Sequence, residues 1–198
     1  MLTRTQHDIV KLLLSHPDTQ YSIRHIARAL KKSYTLTYNN IQKLIVQGIL
    51  KKQHIPPAQI IHLAQAQRVI IEAELSRADD FLKKHPWMAL YRSDVLRASK
   101  HPFYVIIVFG SYAKGEQDKK SDIDLLFIVP EKKDIEGIER AAQQYTPIKR
   151  NVIVIDTPSF TEMIKNPHAL NVGNEARKFH LIIHNAETYD ELIRHNEK

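Results

Sequence analysis

The chain has 198 residues, with 29 Lys plus Arg against 22 Asp plus Glu and 11 His, for a formal charge of +7 with His neutral. Residues 1–65 hold nine basic and two acidic side chains, while the rest holds twenty of each, so the whole net charge lies in the first third. That asymmetry predicts one module that meets a polyanion joined to another that does not. Hydrophobic residues at 43% and charged residues at 26% exclude disorder and fibres. No apolar run approaches the roughly 20 residues that span a bilayer, and Met1 to Val10 is too polar for a signal peptide, which predicts a cytoplasmic protein with no membrane contact. The absence of cysteine excludes disulfides, thiolate zinc sites and a Cys nucleophile, and leaves carboxylates, His and hydroxyls for chemistry.

In chain order, Ile9, Leu12 and Leu13 recur at helical spacing behind a Thr5 cap with Asp8 three residues on, predicting a helix over 5–14 that ends at His16-Pro17-Asp18. Ser22 caps a second helix with Ile23, Ile26, Ala27 and Leu30 on one face, closed by Lys31 and Lys32. A third starts near Tyr34 with an inward stripe of Thr37, Ile41, Leu44 and Ile45. Its other face carries Thr35, Tyr38, Asn39, Gln42 and Lys43. From Ile49 to His62 the sequence reads as a two-stranded hairpin about Pro56-Pro57.

Three short helices and a hairpin predict a helix-turn-helix with a wing. Ser22 to Leu50, ending in the Ile-x-x-Leu-x-x-x-Gly-Ile-Leu pattern of Ile41 to Leu50, resembles winged helix-turn-helix DNA-binding domains of prokaryotic regulators. Arg24, Arg28, Lys31, Lys32, Lys43, Lys51 and Lys52 are the residues to neutralise phosphates of double-stranded DNA, and Tyr38, Asn39 and Gln42 those to reach base edges. A solvated polar face on a dimerisation or protein-docking module is the alternative.

Residues 64–84 lack Pro and Gly and predict one long helix, with Val69, Ile70, Ala73, Leu75 and Leu82 as its contacts. It serves either as a rigid spacer or as the seam of a homodimer. A second helix over 87–98 follows the His85-Pro86 break, before His101 and Pro102.

From Phe103 to Phe109 the chain is unbroken apolar, as a strand covered on both faces must be. Gly110-Ser111-Tyr112-Ala113-Lys114-Gly115-Glu116 follows, and then Ser121-Asp122-Ile123-Asp124-Leu125-Leu126. A strand ending in Gly-Ser presents backbone N–H groups and a hydroxyl to a phosphate, and glycine permits close approach. Asp122 and Asp124, two apart on a strand, share a face. Two carboxylates opposite a phosphate cradle suit Mg²⁺, which binds through one or two carboxylates plus substrate phosphates.

This ordered run of about 20 residues resembles the signature of the DNA polymerase β nucleotidyltransferase superfamily, most of all its minimal bacterial and archaeal members. With the N-terminal resemblance and the helical stretch between, this gives an expected α+β chain: a winged helix-turn-helix over 1–65, a helical linker over 66–100, and over 101–198 a nucleotidyltransferase domain with a mixed sheet flanked by helices. The superfamily resemblance also implies that Gly110 and Ser111, with Lys114, Gly115 and Ser121 beside them, hold the triphosphate of an NTP, ATP foremost. Asp122 and Asp124 would ligate two Mg²⁺ ions for transfer of a nucleoside monophosphate to an acceptor hydroxyl.

The superfamily places a third carboxylate ahead of a later strand. In the candidate strand over 148–155, Asn151 falls there. Asp156, five residues on, faces the opposite side of a regular strand. Asn151 offers an oxygen without charge, which opens a second reading, a transcriptional regulator whose degenerate domain only binds nucleotide. A third, resembling the antitoxin role of minimal nucleotidyltransferases, has the protein bind a toxin-like partner.

Beyond Asp156, a helix starts at Thr157-Pro158 and includes Phe160, Met163 and Ile164. A helix over 168–177, a strand over 179–183 and a helix over 187–194 complete the prediction. His180 and His184 are assigned to strand positions rather than to zinc.

Overall fold

The computed structural model describes residues 2–64, 67–99, 104–118, 120–143 and 149–195. The chain is a mixed α and β protein that divides into two compact units, Met1–Glu74 and Leu75–Lys198.

The first unit begins with α1 (Arg4–Ser15), β1 (Tyr21–Ser22), α2 (Ile23–Ala29) and α3 (Tyr34–Val46). The hairpin strands β2 (Leu50–Ile55) and β3 (Ala58–Leu63) follow. The cap of α1 is Thr3 rather than Thr5: its side chain accepts from the Gln6 N–H at 3.3 Å, and Gln6 Oε1 accepts from the Thr3 N–H at 2.9 Å. This reciprocal pair satisfies two N–H groups that a start at Thr5 would leave open. Ser22 caps α2 and Ser33 caps α3. The three strands form an antiparallel sheet in the order β1-β3-β2. Ile9, Val10, Leu13, Ile26, Ile41, Leu44 and Ile61 are buried together beneath it.

Helix α4 (Gln67–Lys84) gives Ala73 to that core and Ala78, Phe81 and Leu82 to the core of the second unit. Leu75, expected as a contact, is instead 44% exposed, because it follows Ala73 and Glu74 on a turn whose buried positions are already filled. Among the described residues no helix is long and apolar enough to cross a membrane.

In the second unit, α5 (Pro86–Ala98) precedes β4 (Val105–Phe109), the short α6 (Gly110–Lys114) and β5 (Ile123–Val129). Helix α7 (Ile135–Gln143) crosses to β6 (Arg150–Asp156), and α8 (Thr157–Lys165), α9 (Val172–Lys178), β7 (Leu181–His184) and α10 (Ala186–His195) complete the chain. Phe103 and Ile148, expected to begin β4 and β6, lie outside the described residues. The sheet order is β6-β5-β4-β7, parallel between β5 and β6 and antiparallel elsewhere. His184 sits in β7 as expected, whereas His180 precedes it.

Strand β4 is buried on both faces, which accounts for its unbroken apolar run, and β5 is buried along its length apart from Asp124. Ile123, Leu125, Phe127 and Val129 join Met88, Tyr91 and Val95 of α5 and Ile138, Ala141 and Ala142 of α7 in one core. By alternation, Asp124, Leu126 and Ile128 face the other side, where α8, α9 and α10 pack on the sheet. The start of β6 is fastened to α7. Arg150 donates to the carbonyls of Ala142 at 3.1 Å and Gln143 at 2.7 Å, and its guanidinium lies 5.4 Å from the Tyr91 ring centre. The Tyr91 hydroxyl also donates to the Ala142 carbonyl, at 2.9 Å. Burial pushes its phenol up to about 12, so it stays a donor at any ordinary pH.

Candidate active site

Asp124 is the centre of the site, and three strands position it. Within the sheet it pairs with Phe109 of β4 on one side and Asn151 of β6 on the other. Gly110 follows Phe109 immediately, at φ +65°, and a Cβ on it would collide with Asp124 Oδ2. Both the left-handed conformation and the close carboxylate therefore require glycine here. Across the parallel pair, Asn151 Nδ2 donates to Asp124 Oδ1 at 3.4 Å. The Arg150 fastening one residue earlier fixes where that amide sits.

Asp122 stands just ahead of β5 and is exposed, whereas Asp124 is partly buried. The loop before them is organised by Asp118. Its Oδ1 accepts from the Lys120 N–H at 2.7 Å and the Ser121 hydroxyl at 3.0 Å, and the Ser121 Oγ accepts from the Asp118 N–H at 2.9 Å. The Lys120 and Ser121 bonds hold the Asp118 carboxyl below the usual carboxylate range. Ser121, expected among the phosphate ligands, thus orders the turn that delivers Asp122. Gly115, expected in the same set, ends α6 at φ +74° and has open space around it. Ser111 lies partly buried in the first turn of α6.

Asp156 is corrected as a metal-ligand candidate. It pairs with Val129, five residues along from the Asp124–Asn151 pair, a separation of roughly 16 Å at the rise of a strand. Strand β6 has no register break there, so Asp156 faces the other side and caps α8, its Oδ1 accepting from the Ser159 N–H at 2.8 Å. Asn151, the other candidate, lies directly across from Asp124.

A cleft of about 740 Å³ opens over this end of the sheet. Asp124, Asn151, Ile153 and Phe109 line it on the strand side, and Lys114 on the α6 side. Its opposite wall is the segment 167–171 with α9, which sequence reasoning missed. Two asparagines build that wall. Asn171 caps α9, accepting from the Asn174 N–H at 2.9 Å, and donates to the Met163 carbonyl at 3.0 Å. Asn174 Nδ2 donates to the carbonyls of Asn166 at 2.7 Å and Ala169 at 2.9 Å. Gly173 packs against Met163 where a Cβ would lie 2.9 Å from that side chain. The Asn-x-x-Asn spacing was the available signal, but it marks a cap and not a binding wall.

Of the expected set, Asp124 and Lys114 line the cleft, whereas Asp122, Gly110 and Ser111 are not among its described lining residues. Carboxylate oxygens such as those of Asp122 and Asp124 suit a hard divalent cation such as Mg²⁺. Among the described residues no cluster of three or more acidic or His side chains gathers.

In the first unit, Arg24, Arg28, Lys31, Tyr38, Asn39, Lys43, Lys51 and Lys52 are exposed, and Lys32 and Gln42 are partly so. Lys32 pairs with Asp8 at 3.3 Å.

A strand here leads through Gly-Ser into a short helix, with a carboxylate against the glycine. Residues 93–188 match the family model of the nucleotidyltransferase domain, and the chain belongs to that family. A relative in Methanocaldococcus jannaschii, provisionally named a protein adenylyltransferase, is 31% identical over 67 residues, 32% of this chain and 67% of that protein. Among solved structures, MepR, a transcription regulator of the Staphylococcus aureus multidrug efflux pump MepA, aligns at a TM-score of 0.36 and 13% identity. That alignment covers 46% of this chain and 65% of MepR, just under two thirds, and is too weak to bear on fold or function.

Proposed function

We propose that the protein transfers a nucleoside monophosphate from an NTP to an acceptor hydroxyl, with Mg²⁺, and that its first unit is a winged helix-turn-helix that docks on double-stranded DNA. The observation that carries the enzymatic part is the Asp124 carboxylate, pressed on Gly110 at the mouth of a cleft large enough for a nucleotide. The naming of the relative favours ATP as donor and a protein hydroxyl as acceptor.

In this reading Gly110 and Ser111 bind the triphosphate through backbone N–H groups and the hydroxyl, and Asp122 and Asp124 hold the cation. When bound, Mg²⁺ supplies neutralisation of the charge that builds on the phosphates. The acceptor oxygen forms a bond to the α-phosphorus as the bond from that phosphorus to the β-bridging oxygen breaks. The electron pair leaves with pyrophosphate, and the hydroxyl proton passes to a carboxylate of the Asp122 and Asp124 pair. Incubation with labelled ATP, Mg²⁺ and a host lysate tests the reading. A product that Asp122→Ala and Asp124→Ala fail to make is expected; none with wild type, or equal labelling by all three, rejects it.

The DNA part is supported by the α2–α3 pair, the β2–β3 hairpin and the exposed cations on both. The Asn151 amide in place of an acid favours a second reading, a regulator that binds ATP without transfer and changes its affinity for DNA. Duplex binding that shifts with ATP while no transfer product forms would select it.

A further inference from the structure

The cleft holds an arrangement that the Gly-Ser turn and the Asp pair do not use. Lys114, at the end of α6, places its ammonium 5.2 Å from the centre of the Phe179 ring. Lys178, at the end of α9, places its own 5.6 Å from the same centre. All three residues line the cleft with Asp124 and Glu175. Two elements far apart in sequence thus bring like charges to one ring, whose face partly offsets each of them.

A triphosphate carries about four negative charges at neutral pH, and the Asp124 and Glu175 carboxylates would repel it. A cation held by Asp122 and Asp124 would neutralise part of the phosphate charge. Charge on the distal phosphates needs partners further along the cleft, and Lys114 and Lys178 are the lysines among its described lining residues. The wall that carries Lys178 is held in place by Asn171, Asn174 and Gly173, so its ammonium is presented from a built surface rather than from a free loop.

We propose that Lys178, held with Lys114 across the Phe179 ring, binds the distal phosphates of the NTP and the pyrophosphate that leaves, and so sets the preference for triphosphate over monophosphate. This rests on the nucleotidyl-transfer reading of the cleft. Lys178 acts by charge, so its contribution falls as salt rises.

The test is equilibrium binding of ATP, AMP and inorganic tripolyphosphate to the full chain with Mg²⁺, for wild type, Lys178→Ala, Lys178→Arg and Phe179→Leu. Lys178→Ala is expected to weaken ATP and tripolyphosphate about tenfold, in line with loss of one charged contact, while AMP binding stays within about twofold. Lys178→Arg restores ATP binding, and the loss in Lys178→Ala shrinks as salt rises, whereas a merely structural role for the lysine stem would leave a loss that salt does not change. Phe179→Leu falls between, because both ammonium groups lose their shared support. If wild type binds ATP over AMP and Lys178→Ala keeps that preference, this proposal is overturned and the reading of the site stands. If wild type binds neither ATP nor tripolyphosphate, the nucleotidyl-transfer reading falls and takes this proposal with it.

Discussion

Asn151 stands directly across the parallel β5–β6 pair from Asp124, and its amide donates to the Asp124 carboxylate at 3.4 Å. The amide occupies that place without setting a second negative group beside Asp124. Asn151→Asp would trade that donor for a carboxylate. With Mg²⁺ present we expect nucleotide transfer to rise by about tenfold, equal to ~1.4 kcal/mol off the barrier, read as the initial rate of labelled AMP incorporation. Without Mg²⁺ the two acids repel, and the melting temperature of the variant should fall below wild type.

The Gly110 contact leads to a second expectation. Gly110→Ala must either stay in the left-handed region, which costs roughly 1–2 kcal/mol for a residue with a Cβ, and displace the Asp124 carboxylate, or leave that region and shift the turn. The variant should keep a wild-type circular dichroism spectrum yet lose ATP binding by calorimetry. Unchanged ATP affinity would show that the carboxylate need not lie against the glycine.

Much of this centre was legible in the sequence because its parts are consecutive or follow strand alternation. Strand alternation set the register of β5, and the family pattern set the place of Asn151, whereas Asp156 stayed open as a candidate in the sequence and is set aside only because β6 runs without a register break. The cleft's far wall was not legible. Asn171, Asn174, Lys178 and Phe179 reach Asp124 only through the packing of α8 and α9, and no spacing in the chain encodes it. The cap of α1 was missed for a simpler reason: Thr3 and Thr5 both precede the apolar pattern, and only Gln6, three residues after Thr3, closes a capping box.

Asp156 makes an acid-stability prediction. Bonds from the Ser159 hydroxyl and N–H hold its carboxyl below the usual carboxylate value of 3.8. A depressed folded-state value means the stabilisation is present above about pH 4 and is lost as pH falls through the folded value. Asp156→Asn keeps a capping oxygen but has no charge to lose. In thermal melts its deficit against wild type should be largest near neutral pH and shrink as pH falls below the carboxylate range; a deficit that persists unchanged in acid would contradict the cap's charge as its source.

The proposed wing predicts a salt signature. If Lys51 and Lys52 neutralise duplex phosphates, the plot of log affinity against log salt should be steep, and Lys51→Ala and Lys52→Ala should each flatten its slope by about 1. Fluorescence anisotropy with a random duplex from 50 to 300 mM salt measures it. A slope that neither variant changes would remove the wing from the DNA interface.

The central claim is that the Asp124 carboxylate drives nucleotidyl transfer. Asp124→Asn keeps the volume packed on Gly110 and removes only the charge, so folding should survive. Incorporation of label from ATP into the acceptor, timed with wild type and this variant at equal Mg²⁺, is expected to drop by about a hundredfold or more, the scale on which one electrostatic partner acts in catalysis. Incorporation by the variant within a few-fold of wild type would contradict the account.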